Sequence, residues 1–210
     1  MMRIESLKTT ADRAGRYWVS FEDGSRLGLY RQTVEDFGLY TGKELSEEEM
    51  NRLLTAAGKM SAKMRAVRIV SASSVSRRDL EERLVRKGED PEQAREAVQW
   101  MEELHLVDDR NTAEAVVHSC IAKGYGLSRA KQALFEKRIP KEYWEAALAD
   151  YPDQADRIES FLRSRLDADS DQKDIKRAVD ALLRRGHSYG TVRKVLNGLS
   201  FDTEDYFEDE

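Results

Sequence analysis

Few residues in this sequence stand where chemistry could be done. His118 and Cys120 are near neighbours that suggest a nucleophile and its base. Two positions apart on a helix, however, they point to different faces. Cys120 is the one cysteine, which excludes an intrachain disulfide, and it reads as a small core residue. His105 with Asp108 and Asp109 has the residue types of a metal site. Two aspartates ahead of an apolar-periodic run more simply cap a helix and complement its dipole. Gly124-Tyr125-Gly126 follows a helical pattern rather than a strand and lacks the Gly-Lys-Ser/Thr ending of a phosphate loop. No acid, base, nucleophile or metal set converges, so the expectation is a non-enzyme with no catalytic residues, metal or cofactor.

What remains is binding through charge. Between Lys59 and Lys87 there are nine basic residues (including Arg77, Arg78, Arg83, Arg86 and Lys87) against three acidic ones. From Lys173 to Lys194 there are seven basic residues, among them Arg184, Arg185, Arg193 and Lys194, against two acidic. Such patches suit an acidic protein surface or DNA phosphates. The alternative is solvated helix faces laced by i,i+4 pairs such as Glu82 with Arg86. The whole chain has a net charge of -5 and a pI near 5.5, so bulk positive charge does not drive nucleic-acid binding. Any DNA contact is expected to be weak and local.

The elements that would carry these residues change character along the chain. In residues 1–30, Tyr17, Val19 and Phe21 alternate with Trp18 and Ser20, and Leu27 and Leu29 keep the same period of two. Asp23-Gly24 between them marks a tight reversal, and Ile4 and Leu7 suggest a third strand. This reads as a small β-meander, which must pack on something because an isolated hairpin is marginal in water. From Ser46 the period turns helical. Ser46 and Glu49 make a capping box, and Met50, Leu53, Leu54, Ala57, Met60, Met64 and Val67 form one apolar stripe on a long helix, bent near Gly58. The methionines read as core filling. Further helices are expected near 77–87, 91–104, 109–123, 127–138, 140–149, 153–166, 171–185 and 189–198. Asp90-Pro91 is a start signal; Gly88, Gly124 and Gly186 are stop signals. Trp100 and Trp144 lie on apolar stripes. The last ten residues carry six acidic side chains and no basic one, and a frayed tail is expected there.

An internal repeat organises the helical part. Residues 80–98, 130–148 and 178–196 superpose without gaps, at offsets of 50 and 48. Leu84, Leu134 and Leu182 coincide, as do Ala94, Trp144 and Val192, then Ala97, Ala147 and Val195, then Val98, Leu148 and Leu196. Basic pairs recur before the turn: Arg86 with Lys87, Lys137 with Arg138, Arg184 with Arg185. Each copy is a helix pair, and a preceding helix makes each unit three helices, too small to bury its seam alone. The expected architecture is mainly α: tandem three-helix repeats in an elongated array behind a β-meander. Its divisions are 1–45 (meander and short helix), 46–106, 107–152 and 153–200 (three repeats), and 201–210 (acidic tail).

These residues resemble the RecX family. The stretch SRRDLEERLVRKGEDPEQAREAVQWMEELHLVDDRNTAEAVV (76–117) matches the family pattern most fully. GYGLSRAKQALFEKRIP (124–140), with Gly-Tyr-Gly and the downstream Arg129, resembles its second module, and ALLRRGHSYGTVRKVL (181–196) its third. The meander and KELSEEE (43–49) resemble its longer members. The likeness covers nearly the whole chain. It implies a regulatory protein that binds the RecA nucleoprotein filament and modulates, mostly by restraint, its growth and activity in recombination and DNA repair. The partner-binding candidates are then Arg77, Arg78, Arg83, Arg86, Lys87, Tyr125, Arg129, Lys137, Arg138, Arg184, Arg185, Arg193 and Lys194. Tyr125 would either meet a partner or plug the inter-repeat junction. There are departures: Glu89 and His187 replace the aromatic that often follows the turn glycine, Arg138 replaces a glycine, and Thr112 stands where an aromatic is common. Each is expected to weaken a packing contact while leaving the apolar seam intact. Alternatives are a DNA-binding helical array and a scaffold for another protein. No stretch nears the roughly 20 apolar residues of a membrane span, and the N-terminus lacks a secretory core, so a cytoplasmic location is expected. The chain is further expected to be a monomer.

Overall fold

The computed structural model describes residues 1–10, 15–167 and 169–199. The chain forms two compact units, Met1–Val107 and Asp108–Glu210. The acidic tail lies outside the described residues.

The first unit opens with an antiparallel sheet of β1 (Met2–Thr9), β2 (Arg16–Phe21), β3 (Arg26–Tyr30) and β4 (Glu44–Leu45), in the order β3-β2-β1-β4. Alternation sends Val19, Phe21 and Leu29 to one face. Ile4 and Leu7 differ in parity, yet both meet that face. A register shift between Ile4 and Ser6 spends the extra residue, pairing Ile4 with Phe21 and Leu7 with Val19. The short β4 has no counterpart in the sequence pattern, since two residues carry too little of it, but they pair with Met2 and Arg3 and bury Leu45. Helix α1 (Arg31–Asp36) follows β3 directly.

Helix α2 (Glu47–Ala72) covers the sheet. Ser46 Oγ accepts the Glu49 N–H (3.1 Å) and Glu49 accepts the Ser46 N–H (2.8 Å), the expected reciprocal cap. The helix is unbroken past Gly58, where a side chain would run into the amide of Gln93. The expected single stripe is corrected. Met50 and Leu53 are buried against the sheet, whereas Ala62, Ala66 and Ile69 are buried against α3 (Arg77–Arg86) and α4 (Pro91–Glu103). At about 100° per residue the two sets are centred roughly 150° apart around the helix. Leu54 falls between them and is exposed; Met60 and Met64 are half-buried. One helix thus serves two cores on nearly opposite sides, and the small Ala62 and Ala66 let Ala94 and Ala97 of α4 approach closely.

The second unit holds α5 (Asp109–Ala122), α6 (Leu127–Glu136), a 3-10 turn (Lys141–Tyr143), α7 (Trp144–Leu148), α8 (Ala155–Arg163), α9 (Gln172–Arg184) and α10 (Tyr189–Gly198). Ala113, Val117, Leu134 and Ile139 form one core; Ile158, Leu162, Ile175, Leu182, Val192 and Leu196 anchor another. The helix expected over 140–149 is a 3-10 turn and a five-residue helix instead. The repeat alignment explains this. Asp90 accepts the N–H groups of Glu92 and Gln93 to start α4, and Ser188 accepts that of Thr191 to start α10. The matching position is Pro140, which has no side-chain acceptor.

Candidate partner-binding surfaces

The nine cations between Lys59 and Lys87 separate into engaged and free groups. Arg77 Nε meets Glu102 at 2.8 Å, Arg78 meets Glu82 at 3.3 Å, and Arg83 holds Asp79 through two bonds of 2.8 and 3.0 Å. Lys59 pairs with Glu96 (3.0 Å), Lys63 sits 5.1 Å over the Trp100 ring, and Arg68 donates to the Tyr30 hydroxyl (2.7 Å). Arg65 donates to Glu89. Arg86 and Lys87 alone of the nine are exposed with no partner among the described residues. The expected pair of Glu82 with Arg86 gives way to Glu82 with Arg78. The neutralising acids Glu89, Glu96 and Glu102 come from outside the 59–87 window, which is why the local excess of charge overstated the free charge.

Glu89 corrects the expectation that departures from the aromatic weaken packing. The residue is 8% exposed and accepts from Arg65 Nε and from Ser61 Oγ (3.0 Å), both on α2. At the same repeat position stand Ile139, 4% exposed, and His187, 7% exposed. The position following the turn is therefore buried in all three copies, once by an apolar side chain and twice by a polar tether.

His187 tethers the other way. The C-terminus of α5 leaves backbone carbonyls without helical partners; those of Cys120 and Ile121 accept backbone N–H groups, and those of the next four residues each meet a side chain from further along the unit. Arg157 donates to the Ala122 carbonyl (3.1 Å), Arg185 to Lys123 (2.9 Å) and Tyr151 to Tyr125 (2.6 Å); His187 Nε2 meets the Gly124 carbonyl at 3.1 Å. Backbone bonds add to this: Gly126 N–H to the Arg185 carbonyl (2.9 Å) and Ser128 N–H to Gly186 (3.2 Å). The backbones touch so closely that a Cβ on Gly126 would overlap the Gly186 carbonyl, and one on Gly186 would overlap the Arg129 backbone. Gly186 also holds φ +84°, a left-handed turn that glycine adopts freely. Tyr125 and Arg185 meet here, guanidinium carbon 5.5 Å from the ring; Arg185 also lies 5.8 Å from Phe161, which Arg165 approaches at 4.8 Å. Tyr151, Arg157, Phe161 and Arg165 lie outside the three aligned windows, so the repeat carries no signal for them.

Burial draws the His187 pKa below its ordinary value, and nearby Arg185 acts in the same sense against the raising effect of the Gly124 bond. Burial pushes Tyr151 up to about 12, and the Cys120 thiol up as well, which disfavours a reactive thiolate. The other candidates are placed separately. Arg129 pairs with Glu136 at 2.9 Å. Lys137, Arg138 and Arg193 are each engaged within the chain. Arg138 occupies the glycine position of its repeat and adopts φ +57° there. Arg184 and Lys194 are exposed and without partners among the described residues. Among those residues no group of three His, Cys, Asp or Glu could hold a metal ion, and no helix is long and apolar enough to cross a membrane.

Residues 108–148, which are α5 to α7, match the family model for the second three-helix domain of RecX. A regulatory protein RecX of Chlorobaculum tepidum is 30% identical over 142 residues, covering 66% of this chain and 88% of that one. The chain belongs to the RecX family. A second RecX regulatory protein, from Clostridioides difficile, is 25% identical over 211 residues, 97% of both chains. The fold agrees as well. A crystal structure of regulatory protein RecX aligns with a TM-score of 0.62 at 19% identity over 94% of this chain and 100% of that one. That of RecX from Lactobacillus salivarius aligns with a TM-score of 0.60 at 22% identity, over 69% and 97%. In this RecX chain, Glu89 and His187 tether the turns that precede α4 and α10.

Proposed function

We propose that this RecX protein is a non-enzymatic, cytoplasmic, monomeric regulator that binds the RecA nucleoprotein filament and restrains its growth and activity. Family membership carries the reading, and the separation of free from engaged cations refines it. Arg86, Lys87, Arg184 and Lys194 are exposed and unpaired among the described residues, so they are the charges available to an acidic recombinase surface without breaking an internal bond. Arg77, Arg78, Arg83, Arg129, Lys137, Arg138 and Arg193 are secondary contacts that must exchange partners. Tyr125 and Arg185 position the second and third repeats. The three repeats, 46–106, 107–152 and 153–200, act as successive binding modules. Binding at an end of the assembled filament caps it against further growth by occupancy, with no chemical step. A DNA-binding array is disfavoured as the main activity, because the net charge is -5 and seven of nine cations in the first patch are engaged.

The test is a titration against DNA-dependent ATP hydrolysis by the cognate RecA. Four rim charges at roughly 0.5 kcal/mol each sum to about 2 kcal/mol, or about a 30-fold loss of potency for the Arg86, Lys87, Arg184 and Lys194 to Ala combination. Undiminished potency would remove these residues from the interface. No effect of the unmodified protein at any concentration would remove the function.

A further inference from the structure

The outer face of the N-terminal sheet carries an arrangement that the helical repeats do not use. Val19 and Phe21 point into the core, so Trp18 and Ser20 point away from it. The register puts Lys8, Trp18 and Gly28 in one cross-strand row and Ser6, Ser20 and Arg26 in the next. Trp18 is 51% exposed. Its six-membered ring lies so near Gly28 that a Cβ there would stand 3.3 Å from the indole. The ring therefore rests across the glycine backbone, and its remaining surface is open. Trp18, Lys8, Thr9, Ser20, Arg26 and Glu5 line a shallow depression of about 690 Å³ on this face, a size usual for ligand sites. Lys8 and Arg26 have no ion-pair partner among the described residues. They stand on the two strands beside that of Trp18, roughly 10 Å apart across the sheet. Among the described acids nearby, Glu22 is paired with Arg3 at 3.5 Å and Asp23 accepts from Ser25, so Glu5 is the one carboxylate on the lining. In a chain of net charge -5, this lining carries two cations against one carboxylate.

We propose that this face binds single-stranded nucleic acid, with a base stacked on Trp18 and flanking phosphates held by Lys8 and Arg26. An aromatic platform takes a base of any identity because every base has a π-face, and cations on both sides track the backbone. A duplex is excluded from this mode because its bases are already stacked. An acidic peptide would satisfy the cations and leave the platform empty. The site is independent of recombinase regulation, so it is tested without recombinase.

The experiment uses the full chain labelled with 5-fluorotryptophan, whose three resonances are assigned with Trp18→Phe. The probe is an oligothymidylate of about 12 nucleotides, within the usual site size. The expected result is a shift of the Trp18 resonance while those of Trp100 and Trp144 stay. Trp18→Ala weakens binding about tenfold. Trp18→Phe retains most of the binding, which separates lost stacking from lost folding. The double change Lys8→Gln with Arg26→Gln lowers the salt slope by about 1.4. An unmoved Trp18 resonance at saturating oligonucleotide overturns the proposal. Equal binding and an equal shift with an abasic strand of the same length, or with polyglutamate, also overturn it, since either means a polyanion patch without stacking.

Discussion

Replacing Glu89 probes how the first helical repeat is held together. Its carboxylate is buried and joins the turn between α3 and α4 to Arg65 and Ser61 of α2. Hydrogen bonds to a charged group contribute about 1.5–3 kcal/mol each. The Arg65 side chain is 37% exposed, so it returns to water at modest cost once released, and its share falls to about 1 kcal/mol. Ser61 is half-buried and loses its acceptor more completely. Glu89→Ala should therefore cost about 2–3 kcal/mol. Glu89→Ile should cost less than about 1 kcal/mol. It installs the residue that the second repeat uses, whose apolar burial contributes about 1.5–3 kcal/mol in place of the tether. The assay is denaturant unfolding followed by Trp100 fluorescence, since that ring packs on the same core. A double-mutant cycle with Arg65→Ala should give a coupling of about 1 kcal/mol. Glu89→Ala within about 0.5 kcal/mol of the parent, or a coupling indistinguishable from zero, would refute the tether.

Gly126→Ala should destabilise the second unit by about 3 kcal/mol or more, because the added methyl meets the Gly186 carbonyl rather than a side chain that could move; urea unfolding measures it, and a neutral substitution would break the account of the junction. The folded pKa of His187 is lowered, so the fold favours the neutral ring, and its contribution is full above the unfolded value of 6.5 and lost as pH falls below it. Unfolding of the parent and of His187→Gln, compared between about pH 8 and about pH 5, should show that acid-side loss in the parent alone. Arg138→Gly removes a left-handed side-chain residue from a turn and should stabilise the second unit by about 1 kcal/mol, read as a rise in melting temperature of about 4–8 °C.

Much of this architecture was legible without coordinates because it is local. The Ser46–Glu49 cap, the Asp90-Pro91 and Asp108 starts and the left-handed glycines at 88, 124 and 186 depend on a few neighbouring residues, and all stand where the sequence places them. The repeat was legible because Leu84, Leu134 and Leu182 each must be buried, as each is. Pro140 could have been read as a missing cap by setting it beside Asp90 and Ser188; composition alone hid it.

Tertiary structure decided everything that depends on which distant group arrives. Whether a cation between Lys59 and Lys87 is free was set by acids on α4, and which side of α2 is buried was set by two cores facing it from nearly opposite directions. The Gly126–Gly186 contact and the donors that reach the end of α5 join residues up to 63 positions apart. Turn and cap chemistry is a property of the chain's own few angles, so sequence determines it. Pairing is a property of distance between separate elements, and only packing sets that distance.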